Sequence, residues 1–361
     1  MKIITAFDSF KGCMSATDAC HAAAEGILSI DPSAEVVCLP LSDGGEGMVS
    51  CITEALHLSQ VSVKVHGPLM EEIEATYALS DDGMTAYMEM AAASGLPLVP
   101  QDKRNPMLTT TFGVGEMLID AVSRGCKRVV MGIGGSATCD GGEGMIKALQ
   151  EYSVSLLPIE VIVASDVDNP LYGERGAAYI FAPQKGATPE QVVLLDQRLR
   201  DFARKTEREG WASPELAQHP GAGAAGGLGY ALMAYLKARL CSGIDLILDT
   251  ICFDQQIADA DMVITGEGKS DSQTLMGKVP MGVLRRTLGS TGKKQPTSDK
   301  KVFLLSGAIE DKESLLDAGF ASVLSINEGD ARPLSMLMQR EVAMQNLTSA
   351  VKGLPGFKKR L

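Results

Sequence analysis

Short apolar runs that stop abruptly at glycine and acidic residues recur along this chain, and helix-like spacing follows most of the stops. Lys2 to Phe7 runs into Asp8-Ser9-Phe10-Lys11-Gly12, then a helical pattern from Ser15 to Leu28 with Ser15 or Thr17 as N-cap. Further β-like runs are expected at Glu35 to Leu41, Ala86 to Met90, Arg128 to Ile133 and Ile159 to Ala164. Others follow at Ala178 to Ala182, Met262 to Thr265, Lys301 to Ser306 and Ser322 to Ile326. Strands and helices in alternation predict an α/β fold. In an open parallel sheet, ligands gather outside the carboxyl ends of the strands. Chemistry is therefore expected on the loops Phe7-Asp8-Ser9, Leu41-Ser42-Asp43, Thr265-Gly266-Glu267 and Ser306-Gly307-Ala308.

The hexamer Asp-Gly-Gly-Glu-Gly-Met occurs twice, at Asp43 to Met48 and at Asp140 to Met145, each time between an apolar run and a helical pattern. Such loops offer backbone N–H groups and a helix N-terminus to phosphate, but an acid there repels an anion unless a cation lies between. The repetition suggests two loops facing one cleft, with a metal-bridged phosphate; coincidence of two glycine turns is the plainer alternative.

A chain of 361 residues suggests two domains. The loop-rich section between about Gly67-Pro68 and Asp254 reads as an insertion, giving a discontinuous domain 1–66 plus 255–361 and an inserted domain 67–254. A net charge of −12 argues against nucleic acid and anionic membranes as partners. The N-terminus reaches Asp8 too early for a signal peptide, and no run approaches membrane-spanning length, so a cytoplasmic protein is expected. Eight cysteines without a C-x-x-C pair, and four histidines, suggest neither zinc nor a disulfide framework. Gly289 to Lys300 reads as an exposed loop and the C-terminal Lys352 to Leu361 as a solvated basic tail.

No Walker A sequence is present, because Gly277-Lys278 is followed by Val279 and Gly292-Lys293 by Lys294. Gly221 to Gly226 matches G-x-G-x-x-G but follows no strand, so it reads better as a glycine-rich helix entrance that lets backbone approach a phosphate or a neighbouring element. Acids crowd the glycine loops: Asp8, Asp43, Glu46, Asp140, Glu143, Asp166, Asp168, Glu267 and Asp271. Lys11, Lys185, Lys269 and Lys278 stand beside them. Each acid alone could be a cap or turn former. Together they fit phosphoryl transfer, in which carboxylates hold Mg²⁺ and lysines neutralise phosphate.

The ordered loops Asp8-Ser9-Phe10-Lys11-Gly12, Ser42 to Gly47, Gly132 to Gly142, Asp166-Val167-Asp168-Asn169-Pro170, Pro183-Gln184-Lys185-Gly186, Gly221 to Gly229 and Gly266 to Thr274 with Gly277 to Pro280 resemble the type I bacterial glycerate kinases over nearly the whole chain. The resemblance implies two α/β domains, a parallel-sheet, Rossmann/flavodoxin-like one interrupted by insertion of the other, with the active site in the cleft between them. It also implies ATP-dependent phosphorylation of D-glycerate with Mg²⁺, usually at the 2-hydroxyl. Transfer to the 3-hydroxyl or to a related hydroxy acid, a non-catalytic ligand-binding relative and a nicotinamide-dependent dehydrogenase stay open, and so does a homo-oligomer.

On this reading Asp43 and Asp140 take base and metal roles, and Lys11 and Lys185 neutralise phosphate or the substrate carboxylate. Asp166, Asp168 and Asp271 are metal candidates. Asp8, Ser9, Gly44, Gly45, Gly134, Gly135, Ser136, Thr138, Asn169, Gly223, Gly226, Glu267, Lys269, Gln273 and Lys278 are expected to bind substrate or nucleotide. Asp140→Asn is expected to lower kcat by orders of magnitude with folding intact. The chain departs from the family's pattern at Cys139, where Asn is usual, and at Cys13, where Ser is common. Between Met145 and Ile159 the family carries a longer segment.

Overall fold

The computed structural model describes residues 1–45, 47–152, 159–289 and 300–355. Glu46, the end of the shortened segment, most of Gly289 to Lys300 and the extreme C-terminus lie outside the described residues. The chain divides into two compact units. The first comprises Met1–Asp43, Ser50–His57 and Ile244–Leu361, and the second Gly44–Val49 and Leu58–Gly243. The expected boundaries at 66/67 and 254/255 differ at both ends. The strand Ser59–His66 pairs along its whole length with Glu72–Leu79 in the second unit, and the helix Gly243–Thr250 falls largely in the first.

The first unit is built on a five-stranded sheet in the order Ser322–Ser325, Lys301–Ser306, Met262–Gly266, Lys2–Phe7, Glu35–Cys38, and every neighbouring pair is parallel. Its three inner strands read as largely apolar runs because both faces are covered. Ile3, Ile4, Phe7, Val263 and Ile264 are completely buried, each contributing about 1.5–3 kcal/mol. One face carries the helices Ala16–Ile30 and Arg340–Lys352. Ser15 caps the first through a capping box with Asp18. The two helices approach closely at Gly26, where a Cβ would sit 2.7 Å from the Thr348 carbonyl oxygen. The order of the strands reverses at the centre. From Lys2–Phe7 the chain steps outward to Glu35–Cys38, then later resumes at Met262–Gly266 on the other side and steps the opposite way. A crevice opens beyond the carboxyl ends of two strands whose connections diverge in this manner.

The second unit holds a six-stranded mixed sheet in plain chain order: Ser59–His66, Glu72–Leu79, Thr85–Glu89, Arg128–Gly132, Glu160–Ala164, Arg239–Cys241. The first three pair antiparallel and the rest parallel. No reversal occurs in it. The run Ala178 to Ala182, expected as a strand, is part of a helix, Ala177–Phe181. Ala177, Ala178 and Ala182 are buried whereas Tyr179 and Ile180 are exposed, a helical rather than alternating pattern.

Candidate active site

Backbone hydrogen bonds in the first unit align the carboxyl ends of its strands. Asp8 N–H donates to the Gly266 carbonyl at 2.9 Å and Leu41 N–H to the Phe7 carbonyl at 2.8 Å, so the loops carrying Asp8, Glu267 and Asp43 leave the sheet side by side. They line a cavity of about 370 Å³ at the strand reversal. Asp8, Ser9, Lys11, Asp43, Glu267, Lys269 and Lys278 all face it, so much of the acid and lysine set proposed from sequence converges inside this one unit.

Asp8 is almost wholly buried, and its Oδ1 accepts from the Ser9 N–H at 2.6 Å. Burial first, then the negative charges of Asp43 and Glu267, push its carboxyl up to about 7 against the opposing Ser9 N–H and Lys11. A carboxyl titrating there suits proton transfer at neutral pH. Glu267 is also buried and its carboxyl is raised, chiefly by that burial. Its Oε1 accepts from Thr274 Oγ1 at 2.6 Å and Ser270 Oγ at 3.1 Å, its Oε2 lies 4.0 Å from Lys278 Nζ, and Ser270 Oγ is backed by Ser306 Oγ at 2.7 Å. Lys269 pairs with Glu310 at 2.9 Å and with Asp271 at 3.7 Å. Asp271 accepts from the Gln273 N–H, a turn contact, and Gln273 does not line the cavity.

The second hexamer is used differently. Asp140 Oδ2 accepts from Thr111 N–H and Oγ1, both at 2.8 Å, and from Gly144 N–H at 3.2 Å, while Oδ1 accepts from Gly142 N–H at 3.1 Å. Thr111 Oγ1 accepts in turn from Met145 N–H. Oδ2 therefore pins the start of the helix Glu143–Glu151 to the residue that precedes the helix Phe112–Ser123, while Oδ1 holds the turn at Gly142. Lys185 is buried and donates to Ser136 Oγ at 2.6 Å and to the Thr138 carbonyl at 2.7 Å, with burial lowering its ammonium to about 8. Gly134, Gly135, Ser136 and Thr138 form the loop that this lysine staples. The loop is also tied by Leu96 N–H to the Gly135 carbonyl and by Ala137 N–H to the Ser94 carbonyl.

The glycines of the second unit serve close approach. A Cβ on Gly226, at φ +68°, would lie 2.0 Å from the Thr138 carbonyl oxygen, and one on Gly223 would lie 2.3 Å from that of Pro170. The G-x-G-x-x-G match thus seats backbone against backbone. Gly44, in the first hexamer but the second unit, would bring a Cβ within 2.7 Å of Ala164, and Gly134 would bring one within 2.9 Å of Gly45. Asn169 donates to the Arg175 carbonyl and accepts the Gly223 N–H on its own carbonyl. Asp166 accepts from Gly243 N–H, and Asp168 meets Arg175 at 3.5 Å on the surface. No group of three or more His, Cys, Asp or Glu side chains among the described residues is placed to hold a metal. Cys139 is buried, its thiol raised to about 11 by that burial.

Sequence reasoning missed the wall contributed by Ile326, Asn327, Leu334, Leu337 and Met338. For Asn327 alone a signal was available, since it lies on the loop after the last strand, two residues past Ser325.

The model of the glycerate kinase family matches residues 3–157 and 149–354, two pieces that meet where the sequence is short of the expected segment. The chain belongs to the glycerate kinase family. Glycerate kinase of Bacillus subtilis is 42% identical over 357 residues, covering 91% of each chain. Glycerate kinase of Halalkalibacterium halodurans is 44% identical, covering 78% of this chain and 81% of its own. Glycerate 2-kinase of Escherichia coli K12 is 39% identical, covering 91% and 92%. The crystal structure assigned as glycerate kinase 2 of Salmonella typhimurium LT2 superposes with a TM-score of 0.84 at 36% identity, over 99% of this chain and 98% of that one. As a glycerate kinase family member the protein is a kinase, and its α/β fold is the family's. No helix among the described residues is long and apolar enough to cross a membrane.

Proposed function

We propose that this protein transfers the γ-phosphoryl group of ATP to the 2-hydroxyl of D-glycerate, giving 2-phosphoglycerate and ADP, with the chemistry at the cavity of the first unit. The observation that carries this reading is Asp8, a buried carboxyl held near 7 between Asp43 and Glu267 and faced by Lys11 and Lys278. Asp8 takes the proton of the substrate hydroxyl as its oxygen forms a bond to the γ-phosphorus, while the bond from that phosphorus to the bridging oxygen of ADP breaks. Lys11 and Lys278 offset charge on the phosphate oxygens, and Lys278 at 4.0 Å from Glu267 stays within reach of both.

The donor set fits Mg²⁺: the cavity offers hard carboxylate oxygens, and the Asp43 and Glu267 charges that add to burial in raising Asp8 are what a divalent cation offsets. Asp43 and Glu267 would hold the ion, and it would supply charge neutralisation at the transferring phosphate. Asp140 and Lys185 act on this reading by shaping the glycine loops of the second unit. A cytoplasmic setting is supported by eight free thiols.

Incubation with ATP, Mg²⁺ and D-glycerate, followed by phosphorus NMR, tests the reading. A single 2-phosphoglycerate signal is expected. The 3-isomer would move the transfer to the other hydroxyl, and no product from folded protein would leave a non-catalytic relative.

A further inference from the structure

The cavity changes character along the edge of its sheet. At the strands Lys2–Phe7 and Glu35–Cys38 it is lined by Asp8 and Asp43; at the far edge, beyond Ser322–Ser325, it meets Ile326 and the helix Leu334–Leu337. Phe10 leans back over Gly307, with its Cδ1 3.6 Å from where a Cβ would stand. A three-carbon hydroxy acid has no apolar part to match the far wall, and cavities of about 300–1,000 Å³ take ligands much larger than such an acid. A nucleoside triphosphate has both ends.

We infer that the wall of Phe10, Ile326, Leu334, Leu337 and Met338 receives the nucleotide base and grips it mainly by apolar contact, so the enzyme discriminates weakly among bases. This deepens the kinase reading and rests on it. The decisive side chain is Asn327, the only amide that lines the cavity among the described residues. Its Nδ2 donates to the Gly307 carbonyl at 2.9 Å and its Oδ1 accepts from Asn346 Nδ2 at 2.9 Å. Asn346 is itself held by Asp330 at 3.2 Å, and Asp330 is clamped by Arg332. Each end of the amide thus already makes one hydrogen bond within the protein, which leaves one N–H and one lone pair for a ligand. A site that hydrogen-bonds a substrate group rejects analogues lacking it by about 10⁴–10⁵, whereas an apolar pocket yields only about 10–200-fold.

Two measurements test this. Steady-state kinetics with ATP, GTP, CTP and UTP, each with Mg²⁺ and D-glycerate, are expected to give kcat/KM values within about tenfold of one another. A preference of a hundredfold or more for one base overturns the inference while leaving the kinase reading intact. Should no triphosphate transfer phosphate to glycerate, the kinase reading fails and calorimetry with ADP, GDP, CDP and UDP decides the base separately. Affinities within about tenfold sustain the inference, and strong preference or no binding overturns it. Leu334 is 68% exposed, so Leu334→Asp leaves the fold undisturbed. It is expected to raise KM for all four nucleotides together by at least about fivefold with KM for glycerate unchanged; a rise confined to glycerate overturns the assignment.

Discussion

The same six residues do opposite things at their two places in the chain. In the first hexamer Asp43 faces the cavity, Gly44 and Gly47 take left-handed φ of +86° and +89°, and the helix begins only at Met48. In the second, Gly141 and Gly142 are left-handed, the helix begins at Glu143, and Asp140 turns inward to four hydrogen bonds. The sheets differ in parallel. One reverses its strand order and opens a crevice; the other runs in chain order and packs its glycine loops around Lys185. Sequence identity over a loop therefore does not carry its role. Where the loop leaves the sheet relative to a reversal does.

The contrast is sharpest at the two carboxylates. Asp8→Asn is expected to lower kcat by about 10²–10⁴-fold and to abolish the rise in kcat/KM with pH below about 7. Stability gives an independent reading. The folded state holds the Asp8 proton up to about 7 while the unfolded chain releases it near the ordinary carboxylate value, so stability falls as pH rises through that window and is level above it. Between pH 5 and 8 the variant should escape a loss of about 2–3 kcal/mol that the parent shows in urea unfolding. A parent whose stability rises over that window would break the comparison.

Asp140→Ala should act in the other direction, destabilising by about 3 kcal/mol through orphaned donors at Thr111, Gly142 and Gly144. Its thermal midpoint falls; if instead the variant keeps its midpoint and loses turnover, Asp140 belongs to the chemistry. Thr274→Val removes the 2.6 Å donor to Glu267 and should destabilise by about 1–2 kcal/mol, raising the Glu267 carboxyl further and shifting the Mg²⁺ dependence of the rate. Least affected is Asp168→Asn, a surface residue 3.5 Å from Arg175, with stability within about 0.5 kcal/mol of the parent. An apparent Mg²⁺ requirement raised tenfold would return it to the metal site.

Much of this was legible in the residues. Apolar runs such as Lys2–Phe7 and Lys301–Ser306 sit in a fully covered parallel sheet and announce themselves without alternation. The pair Ser59–His66 and Glu72–Leu79 was not anticipated, because its outer strand is largely exposed and its valines are diluted by polar neighbours. Ala178 to Ala182 misled because a five-residue apolar run has no period long enough to separate strand from helix. Within the site, acids and lysines flagged their loops, but nothing local distinguishes a carboxylate that faces a crevice from one that caps a turn. That depends on strand order, which is a property of distant pairings. The apolar wall escaped because methionine and leucine at a cavity look like methionine and leucine in a core.

The strand reversal also fixes when the active site can exist. Ile3 aligns with Met262 across the sheet centre, so the carboxyls of Asp8 and Glu267 meet only after some 260 residues have emerged from the ribosome. At about 5–20 residues per second that is a wait on the order of ten to fifty seconds. The strand Lys2–Phe7 pairs early with Glu35–Cys38 and leaves its other edge without a partner throughout. The contiguous stretch from Leu58 to Gly243 can complete its sheet in the meantime. During synthesis the chain can therefore carry a completed second sheet beside an open, apolar sheet edge, and the crevice at the strand reversal is the last part of the molecule to be born.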